Sequence, residues 1–308
     1  MNYVLNHWSF DPVVVAIAAT VVAHEIGLTR LARRSSPTNT RRRRRNALLF
    51  YAGLGLMTLA IVSPIDYWAS NYFFVHMMAH ILLSFFSPML IVAGAPWVPL
   101  MFALPVRARR SVGRFFYLSP KASPARVVGR MVRNPWVAIG SFNAAMLVWH
   151  IPYLLDLSER NSLVHIWLMH TSFIVTGLLF WLQIIPSHPI KRTLGPVVQV
   201  AAIVATNLTM TVLAMSMSIL TSVSWYSVYD HVPGVTMSSF ADQQIGAAIL
   251  WVCGDFWALP AIIVIIRKAI ENEGSVALAF DKLMGRAPAP TLESFRRNIN
   301  QVAEESAG

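Results

Sequence analysis

Apolar residues recur along the chain in seven runs, near 12–30, 46–63, 73–95, 135–155, 162–185, 195–221 and 241–267. Each run approaches the roughly 20 residues that an α-helix needs to cross a bilayer core. Isolated polar residues interrupt them, and the segments between collect most of the charge. The pattern predicts an all-α polytopic membrane protein, a seven-transmembrane-helix bundle over residues 1–270 with a short cytoplasmic helical tail over 271–308. In that tail, Pro288-Ala289-Pro290 followed by Thr291 signals a last helix over TLESFRRNINQVAEE. No internal repeat points to a transporter of two inverted halves. The N-terminal MNYVLNHWSFDP lacks a basic region and a small-residue cleavage site, so the first run is expected to remain as a helix.

Charge orients the bundle. RLARRSSPTNTRRRRRN lies between runs one and two, eight Lys or Arg lie from Arg107 to Arg133, Lys191-Arg192 lies between runs five and six, and Arg267-Lys268 opens the tail. The opposite loops, SPIDYWASN, IPYLLDLSERN and Ser222 to Phe240, hold a single basic residue, Arg160. By the positive-inside rule the N-terminus is outside and the C-terminus cytoplasmic. With 56% hydrophobic and 13% charged residues, a soluble domain is excluded, and the net charge of +11 reflects topology rather than nucleic-acid binding. Arg41 to Arg45 reads first as a topology determinant, with anionic headgroups as the other reading. Phe102 to Arg130 reads as a short amphipathic helix on the inner surface, dipping Phe115, Phe116 and Tyr117 into it. The single cysteine, Cys253, excludes a disulfide framework and a C-x-x-C pair.

With topology assigned, the polar residues acquire depth. His76 and His80 open the third run, one turn apart on a shared helix face. His150 closes the fourth run, His165 and His170 open the fifth, and Asp242 opens the seventh, all at the outer end. Ionisable groups are rare in spans and mark functional sites when present. Imidazole is the commonest metal ligand and thioether sulfur favours soft ions such as Cu(I). His76, His80, His150 and His170 are therefore the candidate metal ligands and copper the candidate metal. Asp242 is cast as a group orienting an imidazole. Residues five apart on an α-helix lie about 140° apart, which ranks His165 below His170. Met210 and Met217 read mainly as packing, with Met217 a weaker ligand candidate, and Met77 and Met78 as flanking the histidine face. Deeper, His24-Glu25 and Asp255 are expected to pair across helices one and seven, as a buried link or proton path. Ser87-Pro88 predicts a kink in the third run, and Gly94-Ala95-Pro96 its end. Trp149, Tyr153, Trp225, Tyr226 and Tyr229 are placed in an interfacial aromatic belt.

Several motifs in order, WSFDP at 8–12, HMxxH…SPxLIVxGAP from His76 to Pro96, NPWVA followed by VWHIP at 148–152, HxxFxxxGxLFW from His170 and DQQxGAAxxW from Asp242, resemble the seven-helix CtaG-type cytochrome c oxidase assembly factors. The resemblance covers about residues 8 to 267. It implies a non-enzymatic accessory role in maturing a haem-copper oxidase, by helping copper into the dinuclear centre of its subunit II. It also implies residence in a bacterial or archaeal plasma (inner) membrane. Carried over by position, His76, His80, His150, His170 and Asp242 match the polar residues of the family's motifs. His24-Glu25 and Asp255 depart from that pattern. Two other functions share these features: an inner-membrane copper transporter, and a redox subunit binding haem or quinone.

Overall fold

The computed structural model describes residues 7–8, 13–190, 193–273 and 276–284. The expected helix from Thr291 and the pair Lys191-Arg192 lie outside these residues. Helix starts follow a repeated sequence device, a capping residue or extended residue followed by proline at the first helical position, where the missing N–H costs nothing. It opens α2 (Pro37–Val62), α3 (Pro64–Ala69), α9 (Pro135–Trp149), α10 (Pro152–Arg160) and α12 (Pro196–Ser218). Asn134 Oδ1, for example, accepts from Trp136 N at 2.9 Å.

Among the described residues, six helices are long and apolar enough to cross a membrane: α1 (Val13–Ala32), α2, a segment over Phe73–Gly94, a segment over Val164–Ile184, α12 and α13 (Ser239–Glu273). The fourth run is not one straight span. Pro152 holds Ile151 extended, so α9 stops at Trp149 and the chain turns by 77° into α10. At 15 residues α9 spans only about 22 Å, and the bent pair together makes the seventh crossing candidate. Arg41 to Arg45, which the sequence suggests as loop, is the start of α2, because Ser36 and Pro37 begin that helix before the apolar run. The Phe102 to Arg130 region forms three helices, α6 (Trp97–Ala103), α7 (Val106–Leu118) and α8 (Ser123–Arg133). No residue of α7 or α8 is buried, and Arg126 closes their turn by donating to the Phe116 and Ser119 carbonyls.

The two segments that carry histidines are not plain α-helices. The first is α4 (Phe73–Ile81), a π-helical turn over Leu82–Phe86, and α5 (Ser87–Gly94). The second opens with a π-helical turn over Val164–His170 and continues as α11 (Thr171–Ile184). Proline accounts for the first deformation, because Pro88 has no N–H and its ring crowds the carbonyl four residues back, which the wider turn relieves. Ala95 then takes a left-handed conformation with φ 47° and ends α5, as the Gly94-Ala95-Pro96 pattern suggests.

Packing concentrates between these segments. Phe85 stacks on Trp257 at 4.6 Å and meets Phe142 at 5.0 Å, while Trp181 meets Trp257 at 5.7 Å. A second cluster of Phe50, Leu54, Met57, Ile61, Leu83 and Ile91 joins α2 to the α4–α5 segment. Large apolar side chains such as Leu208, Phe256 and Ile263 face outward, as lipid contact requires. Gly177 of α11 lies against the Ser84 carbonyl at the first π turn, with no room for a Cβ. Gly177→Ala should therefore destabilise the fold by about 1–3 kcal/mol, whereas Gly55→Ala, with nothing within 4 Å, should be neutral or mildly stabilising. Thermal unfolding of the purified variants compares the two.

Candidate functional site

The histidine end of the bundle is built around α4. Its first turn has no side-chain cap of its own, and helix N-termini leave backbone donors unmatched. Asp242, on α13, supplies the missing acceptors: Oδ2 accepts from Phe73 N at 2.7 Å and Oδ1 from Phe74 N at 2.9 Å. The carboxylate thus holds the helix that carries His76 and His80, and does not bond an imidazole as the sequence suggests. Gly246, one turn further along α13, keeps the approach open, since a Cβ there would meet the Phe73 ring at 2.6 Å.

Five imidazoles gather beneath this cap. Ring centroids lie 4.0 Å apart for His76 and His80, 6.1 Å for His80 and His170, 6.4 Å for His80 and His150, and 5.5 Å for His76 and His165. His165 and His170 are themselves 4.3 Å apart. Their separation around an ideal α-helix ranks His165 below His170, but here the turn between them is π-helical. Bonding from residue i to i+5 brings residues five apart onto one face, and Thr171 Oγ1 donates to Ile166 O five residues back at 3.2 Å. His76, His80, His150 and His170 are all buried, and His165 lies nearest the surface of the five.

A carboxylate that the sequence reading missed organises the outer part. Glu159 Oε1 lies 3.1 Å from His76 Nδ1 and 2.8 Å from His165 Nδ1, with its side chain 3% exposed. Both Nδ1 atoms thus turn toward Glu159 and each Nε2 faces elsewhere, the orientation that a carboxylate partner gives a ligating histidine. Glu159 lies in α10, within a stretch that reads as an outside loop. Its available signal is the spacing of Leu155, Ser158 and Glu159, which share the inward face of that short helix while Arg160 points out.

Sulfur borders the same space. His150 Nδ1 donates to the Met146 carbonyl at 2.5 Å, and Nε2 stands 3.3 Å from Met77 Sδ. Met217 Sδ lies 3.3 Å from the Tyr226 hydroxyl, which is also 3.2 Å from the His150 carbonyl. Tyr226 and Tyr229 are buried over the site instead of forming an interfacial belt, while Tyr153 remains exposed. Burial first, with nearby carboxylates second, holds both phenols well above their ordinary titration range, so they stay protonated donors. The loop that carries them is tied down by Gln243, which accepts from Trp225 N and donates to the Met217 carbonyl, both at 2.7 Å.

Several buried imidazole nitrogens have no hydrogen-bond partner: His76 Nε2, His170 Nδ1 and both nitrogens of His80. Among the described residues, no three His, Cys or carboxylate side chains are already arranged to hold one metal ion. The rings are gathered but not converged.

Residues 22–272 match the sequence profile of the cytochrome c oxidase caa3 assembly factors. The chain belongs to this family. It is also 26% identical to uncharacterized proteins of Mycobacterium bovis and Mycobacterium tuberculosis over 284 residues, covering 91% of this chain and 42% of theirs. An uncharacterized protein of Mycobacterium leprae is similar at 26% over 285 residues, covering 89% of this chain and 41% of the relative. The chain thus spans about two fifths of the length of these curated relatives. No solved structure matches.

As a caa3 assembly factor family member the chain carries its deeper polar residues in separate places. The expected link from His24 or Glu25 to Asp255 does not form. The Tyr51 hydroxyl donates to Glu25 at 2.5 Å and lies 2.7 Å from His24 Nδ1, joining α1 to α2. Asp255 instead accepts from Asn207 Nδ2 at 3.2 Å, joining α12 to α13. Each group found a partner on the helix beside it. Loss of the cap on α4 should be felt at once: Asp242→Ala is expected to cost about 1–3 kcal/mol, and Asp242→Asn, which keeps one acceptor oxygen, less. Thermal unfolding of the two purified variants beside wild type reads both.

Proposed function

We propose that this protein is a non-catalytic factor for maturing a haem-copper oxidase, and that its buried histidine cluster holds copper before passing it to the client, with subunit II the recipient. The membership in the caa3 assembly factor family supports the client. The observation that carries the metal is His80, which is buried with both ring nitrogens unpartnered and has His76, His150 and His170 within 6.4 Å by ring centroid. A buried polar group without a partner is costly, so such groups are kept where something else satisfies them.

The donor set suits a soft ion. Imidazole nitrogen from His76, His80, His150 and His170, with His165 at the edge, is joined by the thioethers of Met77 and Met217, and Cu(I) accepts both donor types at low coordination number. Glu159 stands beside Nδ1 of both His76 and His165, where a carboxylate orients the ring of a ligating imidazole. Copper here is cargo, so a cluster that is gathered yet not converged fits a factor that must also release it. The charge pattern supports a plasma-membrane protein with the histidine end outside and the basic end in the cytoplasm.

The test uses the full chain purified after growth with copper, or loaded with Cu(I) under reducing conditions, followed by metal analysis. Wild type should retain copper. His80→Ala should lose it, Glu159→Gln should weaken affinity by about 10–100-fold, and His231→Ala, in an exposed loop, should change nothing. Unchanged copper in His80→Ala would overturn the metal assignment. In cells at limiting copper, the deletion strain should hold an oxidase short of copper, and a fully loaded oxidase would count against the assembly role.

A further inference from the structure

The run Arg41 to Arg45 divides in the folded protein. Asn39, Arg42, Arg43 and Asn46 follow the i, i+3, i+4, i+7 spacing and so share one face of α2. That face lines a crevice of about 260 Å³ with His24 of α1, Gly94 and Ala95 at the end of α5, Val98 and Pro99 of α6, and His188. Arg41 and Arg45 do not line it. The crevice walls are held in place independently of any ligand. Gly27 of α1 packs directly on the Pro99 backbone, and Arg30 Nη1 donates to the Phe102 carbonyl at 3.2 Å. Ser187 Oγ donates to the Val92 carbonyl at 2.6 Å, tying the segment before His188 to the end of α5.

The lining is one-sided in charge. Two guanidinium groups, two imidazoles and two carboxamides meet there, and no carboxylate is among them. Glu25 lines a separate crevice on the far side of Arg43 and is occupied by Tyr51. Arg43 spends one N–H on Ser35 Oγ at 2.6 Å, and neither Arg42 nor Arg43 has an ion pair among the described residues. His24 is buried, with Nδ1 committed to Tyr51, and stands at the wall. Arginine matches the geometry of phosphate oxygens with paired donors, and carboxamide N–H groups add neutral ones.

From this we infer that the crevice at the basic end is a binding site for a phosphate group, lined by Arg42, Arg43, Asn39, Asn46, His24 and His188. Two sources carry that chemistry, a phospholipid headgroup of the adjoining leaflet and free inorganic phosphate. The site is separate from the histidine cluster, and its existence does not depend on copper.

The experiment follows thermal unfolding of the detergent-purified full chain with a short-chain phosphatidylglycerol, with inorganic phosphate, or with neither. A phosphate-bearing probe should raise the unfolding midpoint in a saturable way. A shift from the lipid alone assigns the headgroup as source, and a shift from inorganic phosphate assigns the free ion. Arg42→Gln/Arg43→Gln should abolish the shift, Arg42→Lys/Arg43→Lys should restore part of it, and Arg41→Gln/Arg45→Gln, with the same loss of charge, should keep it. Asn46→Asp, which adds a carboxylate with almost no change in shape, should weaken the probe at least tenfold and does not rely on the double variant folding. The inference is overturned if no phosphate-bearing probe shifts wild type, if both arginine-to-glutamine doubles lose the response equally, or if Asn46→Asp binds as wild type does.

Discussion

An imidazole withdrawn from water with neither nitrogen bonded is an expensive feature, on the order of 1–3 kcal/mol for each unmatched group. His80 is such a residue, and the architecture around it keeps it so. Asp242 reaches across from α13 to cap α4, Gly246 lets the two helices close, and Tyr226 and Tyr229 seal the top. None of these residues relieves His80 itself. The bundle holds the ring in position with one N–H and one lone pair unmatched by the surrounding side chains.

Both histidine-bearing segments achieve this by departing from α-geometry. The π turn at Val164–His170 puts His165 and His170 on one face, and the π turn at Leu82–Phe86 absorbs Pro88 while bringing the Ser84 carbonyl against Gly177. A wide turn is less well bonded than an α turn, so it persists where surrounding packing dictates it. Here the packing is aromatic, with Phe85, Phe142, Phe180, Trp181 and Trp257 filling the layer below the imidazoles. The rigid layer supports a cluster whose donors are close but unconverged, an arrangement consistent with an ion that arrives and leaves.

Much of this was legible in the sequence, and the exceptions have physical reasons. Apolar run length located six segments long enough to cross, although α2 begins before its run, at Pro37, and α13 continues past its run to Glu273. The fourth run misled because apolar character continues past Pro152 while the backbone cannot. His76 and His80 were found because four-residue spacing survives in any α-helix, whereas His165 was ranked down by assuming the same 3.6-residue turn where the chain widens it. Asp242 was recognised as important but given the wrong role, since nothing local reveals a cap supplied from 169 residues away. Glu159 escaped notice because a charged residue in an apparent loop is ordinarily solvated, and only the 77° turn after α9 carries it inward.

The central claim, that copper is held inside this cluster by both nitrogen and sulfur, is tested most directly by X-ray absorption at the copper edge on Cu(I)-loaded full-length protein. The account predicts imidazole back-scattering together with a sulfur shell that disappears when Met77 and Met217 are both replaced by leucine. A shell of light atoms alone, unchanged by that replacement and by removal of His80, would place the metal elsewhere and contradict it.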